Sequence, residues 1–151
     1  MVDRRVYSGN DLQEGVVINY NKALAQGGDL AIFTVSGGPV EIVSITGEVT
    51  TAVQNQANAS LLKVNPTVGA DTDICAALDI DNSAVGTVFS ITGTLANAMI
   101  ATAAGTLIAQ ANNVYCPVGD IELECAASNT GNVTWRLRYR PLDPDAVVTA
   151  V

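Results

Sequence analysis

The chain has no histidine at all. That removes the commonest general base, every Ser-His or Cys-His nucleophile pair, and most transition-metal sites. Charge is scarce too: Asp, Glu, Lys and Arg make up 15% of the 151 residues, well below the usual quarter. The charge present is lopsided, with 15 acidic against 7 basic residues and a net of −8. Phosphate recognition needs a basic patch, and the one basic run is Arg136, Arg138 and Arg140, so direct binding to DNA or RNA is disfavoured. Aromatics are few (one Trp, two Phe, four Tyr), which leaves little to build stacking platforms for sugar. Three cysteines, Cys75, Cys116 and Cys125, form an odd set without metal-type spacing, and are expected to be free, buried thiols. No long hydrophobic run exists. The least polar stretch, Leu95 to Ala111, is interrupted by Asn97, Thr102, Gly105, Thr106 and Gln110 and is no membrane span. The first residues lack an apolar h-region, so no signal peptide is read and synthesis in a cytoplasm is expected.

What fills the chain instead is Gly, Ala, Val, Thr and Asn, with 48% hydrophobic residues. That mixture suits short strands and turns. Met1 to Gly15 is polar without period and reads as an extended N-terminal arm (1–15). Residues 16–142 read as one β-domain, and 143–151 as a C-terminal tail. Within the domain, Val16–Tyr20, Leu30–Val35, Val40–Val53, Ser60–Val64 and Val85–Gly93 are strand candidates. Ser36-Gly37-Gly38-Pro39 supplies a strong turn signal. Gly47 sits in the middle of the β-branched run Val40–Val53 and predicts a bulge or bend, with one strand serving two sheets. Leu95–Gln110 is read as strands rather than a helix. Roughly ten short strands at this spacing predict an all-β, single-domain antiparallel β-sandwich, jelly roll or barrel-like fold.

The clearest pattern is Gly119 to Pro141. Ile121, Leu123 and Cys125 alternate with Asp120, Glu122 and Glu124, then Val133, Trp135, Leu137 and Tyr139 alternate with Thr134, Arg136, Arg138 and Arg140. Strict period-2 alternation marks a strand with one buried and one wet face. With Ser128 to Asn132 as turn, the segment predicts one long hairpin pairing Ile121 with Tyr139, Leu123 with Leu137 and Cys125 with Trp135. The same register sets the three carboxylates opposite the three arginines.

Candidate chemistry is thin. No nucleophile elbow, phosphate loop or dinucleotide fingerprint occurs. An enzyme would have to run on carboxylates alone, from Glu41, Glu48, Asp71, Asp73, Asp79 and Asp81. No enzymatic activity and no cofactor are expected. Asp71, Asp73, Asp79, Asp81 and Asn82 offer hard oxygen ligands of the kind calcium takes, without the EF-hand order, and turn formation is the simpler reading of them.

Three segments, VINYNKALAQGGDLAIFTVSGGPVEIVSITGEVTTAV (Val17 to Val53), TDICAALDID (Thr72 to Asp81) and CPVGDIELECAASNTGNVTWRLRYRPLD (Cys116 to Asp143), resemble small structural proteins of tailed bacteriophages and prophages. The resemblance implies a capsid decoration (cement) protein: β-rich, commonly trimeric, seated on the outside of the expanded head. Its expected partners are then the major capsid protein and other copies of itself, without nucleic acid or membrane, and its location is the virion exterior. A tail, fibre or glycan-recognition module is the alternative. The ends are expected to join subunits, with Val6, Tyr7, Val147, Val148 and Val151 as apolar anchors.

Overall fold

The computed structural model describes residues 15–103 and 110–151. The strands, in chain order, are β1 (Val16–Ala23), β2 (Gly28–Ser36), β3 (Val40–Thr51), β4 (Ala59–Pro66), β5 (Thr72–Asp73), β6 (Leu78–Asp79), β7 (Val88–Ser90), β8 (Ile100–Thr102), β9 (Val114–Cys116), β10 (Gly119–Cys125), β11 (Asn132–Pro141) and β12 (Val147–Ala150). They form two antiparallel sheets packed face to face as a sandwich, and the described strands close no barrel. The first sheet runs β1-β11-β3-β7-β8, with β9 also on β3. The second runs β12-β2-β10-β4-β5, with β6 also on β4. No helix among the described residues is long and apolar enough to cross a membrane.

The inward set of β10 and β11 is as read, but Glu122 on the expected wet face is also buried, and the hairpin does not form. Ile121, Leu123, Cys125, Val133, Trp135, Leu137 and Tyr139 are all buried. Yet β10 lies between β2 and β4 in one sheet, and β11 lies between β1 and β3 in the other. The link 126–131 therefore arches across the sandwich, a distance of about 10 Å between stacked sheets. Buried Asn129 holds the arch. Its amide donates to the Gln56 carbonyl at 2.9 Å and its Oδ1 accepts from Asn58 Nδ2 at 2.7 Å. Period-2 alternation specifies which side chains point inward, and an arch satisfies it as well as a hairpin does.

Gly47 plays another part than the one expected. The strand β3 stays in the first sheet throughout, and its register shifts fall elsewhere, opposite Asn132/Val133 and Arg138/Tyr139. Gly47 stands directly opposite Trp135, where a Cβ would come within 2.7 Å of the indole ring. The glycine makes room for the ring, which stacks on Phe89 at 6.4 Å between centroids. The alternation expected along Val85–Gly93 is shorter than read: Phe89 and Ile91 are buried, but Val85 is 62% exposed.

The C-terminal segment is a correction to the tail reading. Val147–Ala150 extends the second sheet as β12, paired with β2, and Val148 is buried in the core. Its backbone N–H donates to the Tyr139 hydroxyl at 3.3 Å, so a side chain of the first sheet clamps the last strand of the second. Tyr139→Phe should leave that N–H without its acceptor and destabilise by about 1 to 2 kcal/mol, within the range for an orphaned buried donor. Hydrogen exchange of the Val148 amide should accelerate at the same time, and an unchanged rate would refute the clamp.

All three cysteines are free and buried, as expected. Burial pushes each thiol upward, Cys116 to about 12, so little thiolate exists at neutral pH. Native protein should react slowly with a thiol reagent and unfolded protein rapidly, with three equivalents taken up. A fast-reacting native thiol would show one strand edge to be open.

Candidate functional site

The outward positions of the second sheet gather a cluster of acid. Antiparallel partners share a face, so Glu122 on β10 stands beside Lys63 on β4, and Asp73 on β5 stands on its other side. Glu124 pairs across to Asp29 on β2, and Asp120 to Thr34. Lys63 is drawn into this nest. Its ammonium lies 2.9 Å from Asp29, 3.0 Å from Asp71, 3.3 Å from Glu124 and 3.9 Å from Glu122, and its side chain is 7% exposed. Burial alone would pull the lysine down, but the surrounding carboxylates outweigh it and hold the group above its ordinary range. Lys63 was not singled out by sequence reasoning. The available signal was a lysine, one of only two in the chain, inside the apolar run Leu61–Val64.

Glu122 has the opposite problem. Burial raises its carboxyl above the ordinary value, with Asp29 and Asp120 adding to the rise, while Asn65 and Lys63 oppose it. A carboxyl raised in the folded state binds protons more readily folded than unfolded. Its contribution to stability therefore falls as pH climbs from the ordinary carboxylate range through the folded value. Glu122→Gln should remove that slope and melt no lower than wild type at neutral pH. Melting curves from pH 4 to 8 would show it, and an unchanged slope would contradict the assignment.

Two of the clefts among the described residues bear on function. One, of about 300 Å³, opens between the edges of the two sheets and is lined by Val64, Pro66, Ile74, Leu95, Val114 and Tyr115, with Thr72 nearby. Tyr115 is 64% exposed and Leu95 46% exposed, so the rim presents apolar surface to solvent. The other, of about 420 Å³, lies beside β1 and is lined by polar groups including Asn21, Lys22, Gln26 and Asn132, next to the Tyr20 ring.

The residues named from sequence scatter. Val6 and Tyr7 lie outside the described residues. Of the C-terminal anchors, Val148 is core and unavailable to a neighbour, Val147 is half-buried, and Val151 alone is exposed. Glu41 and Glu48 lie on the outer face of the first sheet, where they pair with Arg140 at 3.7 Å and Arg136 at 2.7 Å. This corrects the expected pairing of those arginines with Asp120, Glu122 and Glu124, which face out of the other sheet. Asp71 and Asp73 flank the far edge of that second sheet, so the carboxylates share no common cleft with Glu41 and Glu48. The calcium candidates are likewise parted. Asp79 accepts from the backbone of Asn58 at 2.8 Å and of Asp81 at 3.2 Å, shaping a turn in which Asn82 takes a left-handed φ of 55°.

Compared with protein-family models, with curated proteins and with solved structures, the chain has no significant match in any of the three.

Proposed function

We propose that this chain is a non-enzymatic structural protein of a tailed-phage virion, a head decoration protein that binds the outside of the mature capsid and stabilises it by bridging capsomers. The observation that carries this reading is the apolar cleft with Tyr115 and Leu95 exposed on its rim. A cleft of that chemistry offers van der Waals contact, with the hydroxyls of Thr72 and Tyr115 and no charged side chain in its lining to orient a reacting molecule. It suits an apolar side chain of a protein partner, and the aromatic on its rim is of the kind enriched at protein interfaces. The polar, charge-paired outer face of the first sheet would remain toward solvent.

The alternative, a tail or fibre module recognising glycans, draws on the second cleft, where amides of Asn21, Gln26 and Asn132 adjoin a tyrosine ring. One experiment separates the two. Purified protein is mixed with expanded heads, and separately with host cells and a glycan array. Saturable binding to heads in many copies, with raised resistance of the heads to heat, supports decoration. Binding to cells or glycans without head binding overturns it in favour of the alternative. Replacing Tyr115 by Asp should weaken head binding at least about tenfold, the effect expected of losing an interface hot spot.

A further inference from the structure

Asp71 was read as part of a calcium-like segment, and the fold carries it away from Asp79 and Asp81 to carboxylates on β2 and β10. One oxygen each of Asp29, Asp71 and Glu122 lie within 4.8 Å of one another. A single point therefore stands within about 2.8 Å of all three, and small side-chain adjustments bring that to the 2.3–2.6 Å range of calcium–oxygen bonds. A cluster of acids alone would mean little. The further observation is the state of Glu122, which is 6% exposed and whose Oε2 accepts no hydrogen bond from the described residues. Its other oxygen accepts from Asn65 Nδ2 at 3.2 Å. The Lys63 ammonium, 3.9 Å from Oε2, is too distant to donate to it. A buried carboxyl oxygen without a donor, in a nest where one ammonium faces four carboxyl groups, is an unfavourable arrangement that more positive charge would relieve.

We propose that Asp29, Asp71 and Glu122 form a calcium site, which the ion enters as the Lys63 ammonium withdraws to Glu124. The ammonium stands 3.3 Å from Glu124, which lies outside the trio, so the lysine keeps a partner when it yields the centre. Three carboxylates then face a doubly charged ion, and a neutral Lys63–Glu124 pair remains beside them. Asp29 and Asp71 are 45% and 46% exposed along their side chains, leaving an open side for the waters that complete six to eight oxygen ligands. Three ligands carried on two strands (Asp29, Glu122) and a loop (Asp71) suit calcium's flexible shell better than the tight octahedron magnesium requires. An open site of this kind belongs with those binding at roughly 10⁻⁴ to 10⁻³ M.

The test is calorimetric titration of the full chain with calcium chloride and, separately, magnesium chloride, with terbium luminescence as a second readout. One calcium ion per chain is expected in that range, with magnesium at least about tenfold weaker. Glu122→Gln should abolish binding while melting normally without calcium, which shows that the fold is intact. Lys63→Gln should tighten binding, because the ammonium no longer competes. Asp81→Asn, altering a carboxylate in the separate turn, should leave it unchanged. A titration flat to 10 mM calcium (about tenfold above the weakest site expected) overturns the proposal. So does binding that magnesium matches and Glu122→Gln does not alter, which would be diffuse counterion attraction to an acidic face.

Discussion

Replacing Trp135 by alanine should destabilise the sandwich by about 3 to 5 kcal/mol, the range for deleting a buried aromatic ring. The ring is 1% exposed, stacks on Phe89, and fills the space that Gly47 leaves by lacking a side chain. Collapse around the vacancy is limited because β11, which carries it, is hydrogen-bonded on both sides, to β1 and β3. Urea denaturation at neutral pH measures the loss. A change below about 1 kcal/mol would mean that the site repacks or that the ring is not core.

Lys63→Met should be the most damaging change of any charged residue, at about 2 to 3 kcal/mol. Breaking a fully buried ion pair costs more, about 3 to 5 kcal/mol. The figure here is discounted because Asp29, Asp71 and Glu124 are each nearly half exposed and screened by water. The loss comes from leaving those carboxylates to repel one another and from stranding buried Glu122 beside them. It should shrink as pH falls into the carboxylate range, since protonation removes the repulsion that the missing ammonium no longer offsets. Denaturation at pH 7 and pH 4 tests both parts. An equal loss at the two pH values would assign the effect to packing of the lysine stem instead.

The faces of the strands were legible in the sequence, while their neighbours were not. Alternation along Gly119–Cys125 and Asn132–Pro141 placed Ile121, Leu123, Trp135 and Tyr139 inward correctly, because side-chain direction in a strand is a local property. Which strand lies alongside is decided by the link. Six residues at 126–131 serve an arch as well as a turn, and the buried Asn58–Asn129 contact that favours the arch joins positions far apart in the chain. Gly47 was recognised as special, but its reason, an indole ring arriving from another strand, is again non-local. The sequence reads 143–151 as a tail whose valines join subunits. In the structure Pro141 ends β11, Pro144 lies in the connection 142–146, and the chain then returns to pair with β2. The acidic nest draws Asp29, Lys63, Asp71, Glu122 and Glu124 from separate strands and loops. No spacing in the sequence announces such a group, and only the lone lysine in an apolar run hinted at it.

The proposed role stands or falls on where the protein sits in an intact particle. Cryo-electron microscopy of expanded heads incubated with the full chain should show the two-sheet sandwich on the outer surface in many symmetry-related copies. The edge bearing Leu95 and Tyr115 should be turned against the shell, and the arginine-bearing outer face of the first sheet toward solvent. Bare heads at saturating protein, or density for the sandwich confined to the tail, would contradict the decoration reading.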